Sequence, residues 1–241
     1  RFRRAFVPDP GHALLAADYS QIELRILAHL AQDPALLETF IKDRDVHDET
    51  ARLVFGEEAG LSGEETRRRA KVINFSIIYG TSAFSLAKEL QTSTAEAQKF
   101  IDRYFAERPG VRDYLDRIVR EAAERGYAET IFGRQRQVPE LGQADKVTQQ
   151  AGRRIALNMP IQGSAADIIK VAMLRIWDDL RSRRLRTRMI LQVHDELVFE
   201  VPDGERDEVE GIVRGRMEHV CALRVPLKVH LGWGPNWADA K

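Results

Sequence analysis

The chain has 241 residues, 44% hydrophobic and 31% charged, which is enough for one large domain or two modest ones with a real core. Lys plus Arg and Asp plus Glu both number 37, so there is no bulk attraction to a polyanion and any affinity for nucleic acid must come from local clusters. The single cysteine, Cys221, excludes an internal disulfide framework and agrees with a reducing cytosol, no apolar run approaches the ~20 residues of a membrane span, and RFRRAFVPDPGH lacks the apolar core of a secretion signal. Without repeats, low-complexity tracts or a Ser/Gly linker, the elements are expected to form one interwoven unit.

In chain order, Ala13 to Ala17 reads as a strand ending at Asp18, followed by Tyr19, Ser20 and a helix from Gln21 to about Leu30 with Ile22, Ile26 and Leu30 on one face. Ser20 and Glu23 have the spacing of a capping box. Asp18 then stands at the carboxyl end of a strand, where it either helps to terminate the strand or opens toward a ligand. His47, Asp48 and Glu49 begin a helical stretch. Acids in a first turn oppose the helix dipole, which assigns this triplet to capping and surface, with His47 as a secondary candidate for ligand contact.

EETRRRAKVINFSIIY, Glu64 to Tyr79, reads as a helix capped by Ser62 with Glu65 and stopped by Gly80. Arg67, Lys71, Phe75 and Tyr79 recur every four residues along one side, leaving Val72, Ile73 and Ile77 for the body. The stripe is either the solvated face of an amphipathic helix or a nucleotide grip. From Arg67 to Phe75 is ~12 Å at ~1.5 Å per residue, the reach from a far phosphate to a base. Cations would meet phosphate and the aromatic face would meet sugar or base.

Phe84, Leu86, Ala87 and Leu90, then Phe100, Ile101, Tyr104 and Phe105, and after Pro109-Gly110 Tyr114, Leu115, Ile118 and Val119, are expected core positions of helices. Thr130 to Pro139 reads as an irregular strand pair exposing Arg134 and Arg136, either solvated or touching phosphate. A helix over Lys146 to Asn158 and another from about Ser164 to Arg183 are separated at Pro160. Arg154, Asn158 and Gln162 line the break, where they serve either capping and loop bonds or the acceptors shared by every base pair in the minor groove.

Met189 to Val201, MILQVHDELVFEV, reads as a hairpin. Period-two apolar residues flank His194, Asp195 and Glu196 at its tip. Adjacent carboxylates at a turn repel one another; they are either a solvated turn or oxygen ligands for a hard divalent cation.

DYSQIELRILAHL from Asp18, RRRAKVINFSIIYG from Arg67 and QVHDELVFE from Gln192 resemble, in order, the three polymerase motifs of the family A DNA polymerases of bacteria. TIFGRQRQVP, NMPIQGSAADIIK and GWGPNWADAK resemble the same family, so the likeness covers essentially the whole chain. The resemblance implies an α/β fold, with an antiparallel palm sheet from residues 1–44 and 151–241 and a mainly helical fingers insertion over 45–150. It implies template-directed addition of deoxynucleotides to a primer 3′ end, in DNA replication and repair, by a monomer in the bacterial cytoplasm with no membrane partner. Two Mg2+ ions would be held by Asp18 and Asp195, with Glu196 as acidic neighbour and the Tyr19 carbonyl as a further ligand. Arg67 and Lys71 would grip the dNTP triphosphate, Phe75 its sugar, and Glu23 would exclude a ribose 2′-hydroxyl. Tyr79 would sit beside the templating base. Arg68, Arg134, Arg136, Arg154, Asn158, Gln162 and His194 would contact the DNA primer-template. Glycine is common in the family where Ser76 stands. Family members carry more palm, a thumb and usually exonuclease domains before the position of Arg1, so the thumb and exonuclease domains are expected to be absent, with a natural C-terminal end and a cut N-terminal one. A two-metal nuclease and a non-catalytic DNA-binding fragment are the alternatives; the Arg-Lys-Phe-Tyr stripe is superfluous to the first.

Overall fold

The computed structural model describes residues 2–56 and 63–241. Ser62, the expected cap of the Glu64 helix, lies outside the described residues. The expectation of one interwoven unit gives way to two compact ones: Arg1–Ile22 with Ala165–Lys241, and the contiguous block Glu23–Ser164. An insertion that leaves and rejoins the chain at two points needs no Ser/Gly linker, so composition carried no trace of it.

The first unit is built on a four-stranded antiparallel sheet. Its strands are β1 (His12–Tyr19), β4 (Arg188–Val193), β5 (Glu196–Pro202) and β6 (Val229–Gly234), in the order β4-β5-β1-β6. In β1 every residue from Ala13 to Tyr19 is buried except Asp18. The expected alternation holds for β4, an edge strand. It fails for β5, buried from Glu196 to Pro202, because β5 lies between two strands and is covered on both faces. On one face Leu14, Ala16 and Val198 pack with Trp237 and Ala240 of the C-terminal segment. Leu15 and Phe199, paired in register, must point the other way. Helix α10 (Arg206–Glu218) contacts the sheet and buries Val209, Val213 and Met217; α9 (Ser164–Ser182) precedes β4.

The second unit is helical: α1 (Ile22–Ala31), α2 (Pro34–Ile41), α3 (Val46–Phe55), α4 (Gly63–Ile78), α5 (Ala83–Leu90), α6 (Thr94–Glu107), α7 (Pro109–Arg125) and α8 (Lys146–Asn158), with a small hairpin of β2 (Tyr127–Glu129) and β3 (Gln135–Gln137). Serine and aspartate open several of these helices. Asp33, Asp45, Ser82, Ser93 and Asp145 each accept a backbone N–H of the first turn. Gly80, at φ 61, ends the α4 segment in a conformation that suits glycine. Two expectations fail. Phe84 is not core: it is 58% exposed, with Lys88 over its ring at 4.5 Å. Pro160 does not break the chain, because Met159–Gly163 form a π turn joining α8 to α9, a wider turn that tolerates a residue without an N–H. Among the described residues no helix is long and apolar enough to cross a membrane.

Candidate active site

In the sheet unit the acids meet. Asp18 pairs in register with Glu196 on β5 and His230 on β6, and the Tyr19 N–H donates to the Asp195 carbonyl at 3.2 Å, tying β1 to the hairpin turn. His194 turns the chain at φ 55. Arg3, Asp18, His194, Asp195, Glu196 and His230 line a cavity of about 430 Å³. Lost hydration first, then the charges of Asp195 and Glu196 and a hydrogen bond with Asp195, push the Asp18 carboxyl up to about 6. Burial raises Asp195 as well. The pair therefore shares a proton more readily than either acid would alone.

Glu196 differs. Trp237 donates its indole N–H to Oε1 at 2.7 Å and Arg3 lies 3.3 Å from Oε2, with the Arg3 guanidinium also 4.3 Å over the Trp237 ring. Tyr19 is buried. Its hydroxyl donates to the Met217 carbonyl at 2.8 Å, and burial pushes the phenol above its ordinary range.

In the helical unit, α4 carries the expected stripe. Arg67 donates to Asp45 at 2.7 Å and lies 3.4 Å from Asp48, while Arg68 forks onto Glu65 with both bonds at 2.7 Å. Lys71 is exposed and makes no ion pair among the described residues. Phe75 and Tyr79 stack with centroids 6.2 Å apart and planes at 26°. The Tyr79 hydroxyl donates to Glu23 at 2.7 Å. His47 is not a surface residue, as its triplet suggested. It is 3% exposed, with its ring 6.2 Å from Phe75, and it is Asp45 that caps α3. Burial pushes the His47 imidazole down to about 4.

In the same unit Arg134, Arg136, Arg154, Asn158 and Gln162 line one groove of about 500 Å³. The Asn158 Oδ1 is buried there without a hydrogen-bond partner among the described residues, an acceptor still owed a donor. Arg134 donates to the Gly163 carbonyl at 3.0 Å. His194 belongs to the acidic cavity, not to this groove.

Among the described residues no three His, Cys, Asp or Glu side chains form a group that would enclose a cation. The donor set nevertheless fits Mg2+. Hard cations take oxygen, and Mg2+ is commonly held by one or two carboxylates plus phosphate oxygens of a substrate. Asp18 and Asp195 are two such carboxylates, each raised by the burial and repulsion that a cation would relieve.

Sequence reasoning missed Arg3, His230 and Trp237 around the acids, and Asp45 and Asp48 on Arg67. Only the ending GWGPNWADAK had signalled that Trp237 matters, without a role. The Gly residues at 232 and 234 explain part of that ending: a Cβ on either would run into the backbone of Asp239 to Lys241.

Residues 1–239 match the model of DNA polymerase family A. The chain is 46% identical over its whole length to the thermostable DNA polymerase I of Thermus filiformis and 48% identical to DNA polymerase I of Mycobacterium tuberculosis. It spans only 29% and 27% of those relatives. The polymerase domain of Pol1 from M. smegmatis, solved with DNA primer-template and dNTP, superposes with a TM-score of 0.94 at 46% identity, covering 99% of this chain and 42% of that one. With its three motifs placed and its fold matched, this chain belongs to DNA polymerase family A.

Proposed function

We propose that the chain supplies the acidic centre and nucleotide grip of a template-directed DNA polymerase, adding deoxynucleotides to a primer 3′ end. The observation that carries this is the Asp18–Asp195 pair, both raised by burial first and by neighbouring carboxylate charge after it, in an open cavity of a chain of this family. Residues 1–44 and 151–241 are read as palm and 45–150 as fingers, of a bacterial cytoplasmic monomer. Asp18 and Asp195, with the Tyr19 carbonyl as a further ligand, would hold two Mg2+ ions, which would supply activation of the primer hydroxyl and stabilisation of the leaving pyrophosphate.

The protein's own groups do the rest. Glu196, pinned by Trp237 and Arg3, adds fixed negative charge beside the pair. Arg67 and Lys71 receive the triphosphate, Arg67 by exchanging Asp45 and Asp48 for phosphate oxygens. Phe75 takes the sugar and Tyr79 stands beside the templating base, while Glu23, held by Tyr79, fills the space a 2′-hydroxyl would need. Arg68, Arg134, Arg136, Arg154, Asn158, Gln162 and His194 hold the primer-template. Incubating labelled primer-template with Mg2+, with and without dNTPs, tests the proposal. Extension that requires all four dNTPs supports it; shortening without them identifies a nuclease, and binding without either identifies a DNA-binding fragment.

A further inference from the structure

Three carboxylates line the cavity of the sheet unit, Asp18, Asp195 and Glu196. Asp18 and Glu196 are register partners on β1 and β5, so their side chains rise from the same face of the sheet, about 5 Å apart at Cβ. A glutamate is long enough to reach a cation held beside its register partner. Yet among the described residues no three His, Cys, Asp or Glu side chains stand where one cation could take them all.

The contacts of Glu196 account for this. It is 9% exposed, and Trp237 beside it 6%. The Trp237 indole N–H donates to Oε1 at 2.7 Å and Arg3 Nη1 lies 3.3 Å from Oε2, so each carboxylate oxygen has a partner of its own. Those partners are themselves fixed. The Arg3 guanidinium lies 4.3 Å over the Trp237 ring, and that ring meets Phe6 edge-on at 5.4 Å. The Trp237 backbone N–H donates to the Phe6 carbonyl at 3.1 Å, and its side chain packs with Leu14, Ala16, Val198 and Ala240. An indole N–H and a guanidinium have donors and no acceptor, so neither can turn its role round and let the carboxylate go.

The number of carboxylates that reach a cation decides which cation is preferred. Mg2+ keeps several waters in a near-ideal octahedron and is commonly held by one or two carboxylates with substrate phosphate. Ca2+ takes more oxygens in a flexible shell, and its affinity rises with the charge of its ligands. Two carboxylates suit the first ion; a third favours the second.

We propose that Trp237 and Arg3 are positioning residues that hold Glu196 out of the cation's coordination shell, so that the acidic centre discriminates in favour of Mg2+ and against Ca2+. This rests on the reading of Asp18 and Asp195 as the cation's carboxylates. Glu196 then contributes charge from a fixed distance and is not a ligand.

The test is metal binding by the full chain without nucleotide or DNA, read from the free Mn2+ sextet in electron paramagnetic resonance, with Ca2+ and Mg2+ as competitors. Trp237→Phe keeps an aromatic ring and removes the donor; Arg3→Met keeps the stem and removes the charge. A charge lost at a distance shifts all divalent cations alike, whereas a ligand gained shifts their ratio. The ratio of Ca2+ to Mg2+ affinity should rise roughly threefold in Trp237→Phe and roughly tenfold in the double variant, with Mn2+ itself held more tightly. General damage to the fold would weaken binding instead. In a Glu196→Gln background neither substitution should move the ratio.

An unchanged ratio in the double variant overturns the proposal, as does a change that persists in Glu196→Gln. If Trp237→Phe does not fold, Arg3→Met alone, at a partly exposed side chain, should still raise the ratio, and an unchanged ratio there overturns the proposal equally. Asp18→Asn separates the two layers, since it should weaken Mn2+ binding whatever Trp237 does. Undiminished binding in Asp18→Asn would overturn the reading of the acids, and the positioning role with it.

Discussion

The two compact units treat charge in opposite ways. In the sheet unit, burial and neighbouring carboxylate charge raise both Asp18 and Asp195. In the helical unit the arginines of α4 are answered by the unit's own acids, Arg67 by Asp45 and Asp48 and Arg68 by Glu65, while Lys71 makes no ion pair among the described residues. The first site carries stored repulsion that a ligand of opposite charge relieves. At the second, Arg67 is already paired, so an anionic ligand must compete for it. Under the proposed function, affinity for a cation and affinity for a triphosphate are therefore limited by different things, buried like charge in one case and internal competition in the other.

The largest test of that contrast is to remove the repulsion. Asp18→Asn and Asp195→Asn should each cut primer extension by roughly a thousandfold or more, since each removes charge where the transition state needs it. Asp18→Asn should at the same time stabilise the metal-free chain at neutral pH, by about 1 kcal/mol once solvent screening of this partly exposed group is allowed for. Near-normal extension with an unchanged circular dichroism spectrum would take that residue out of the site.

The units should also answer pH with opposite signs. Asp18 has a folded pKa of about 6, above its ordinary 3.8. Its ionisation is disfavoured by folding, so stability falls as pH rises from about 4 to about 6 and is flat above. His47 has a folded pKa of about 4, below its ordinary 6.5. Its stabilising contribution is complete above about 6.5 and is lost as pH falls toward 4, on the order of 2–3 kcal/mol. Denaturant titrations in metal-free buffer should show Asp18→Asn removing the falling component and His47→Gln the rising one. If both variants changed the curve in the same sense, the contrast between the units would be wrong.

A smaller effect probes the competition. Asp48→Asn should free Arg67 and tighten dATP binding a few-fold, the scale of an exposed ion pair of about 1 kcal/mol or less, whereas Arg67→Ala should weaken it. Asp45 is unsuitable for this, because it also caps α3 and its loss would unsettle the helix. Calorimetry with both variants decides whether the acids restrain the arginine or merely neighbour it.

What could be read from the sequence divides along a physical line. Local periodicity gave β1, α4, the edge strand β4 and the hairpin tip, because each depends on residues within a few positions. It failed for β5, whose faces are covered by other elements, the C-terminal segment packing on Val198 and α10 also contacting the strand. The stripe of Arg67, Lys71, Phe75 and Tyr79 follows from helical spacing alone. Asp45 and Asp48 as its counter-charges required the packing of α3 on α4, and the bond from Trp237 to Glu196 required the C-terminal segment to lie on the sheet. Ion pairing and burial are tertiary facts, so the residues that tune the site were the ones that stayed hidden.

Glu23 is where a local and a tertiary account of one side chain compete. The sequence places it in the first turn of α1, where a carboxylate favours the helix dipole, and the structure adds the Tyr79 hydroxyl donating to it at 2.7 Å. If the local role were the whole of it, Glu23→Ala would cost about 1 kcal/mol of stability and leave the choice of sugar untouched. Under the proposed function, a carboxylate held in place by a residue of the α4 stripe is instead a fixed obstacle beside the sugar. Glu23→Ala should then raise ribonucleotide incorporation about tenfold, and Glu23→Gln, which keeps the volume, much less. Tyr79→Phe keeps the stacked ring but removes the hydrogen bond, so the carboxylate gains freedom and discrimination should fall only a few-fold. Competition between ribo- and deoxynucleotides in primer extension measures all three variants on one scale. A ratio unchanged in Glu23→Ala would return Glu23 to the helix terminus, and one that fell in Tyr79→Phe alone would assign the discrimination to the tyrosine.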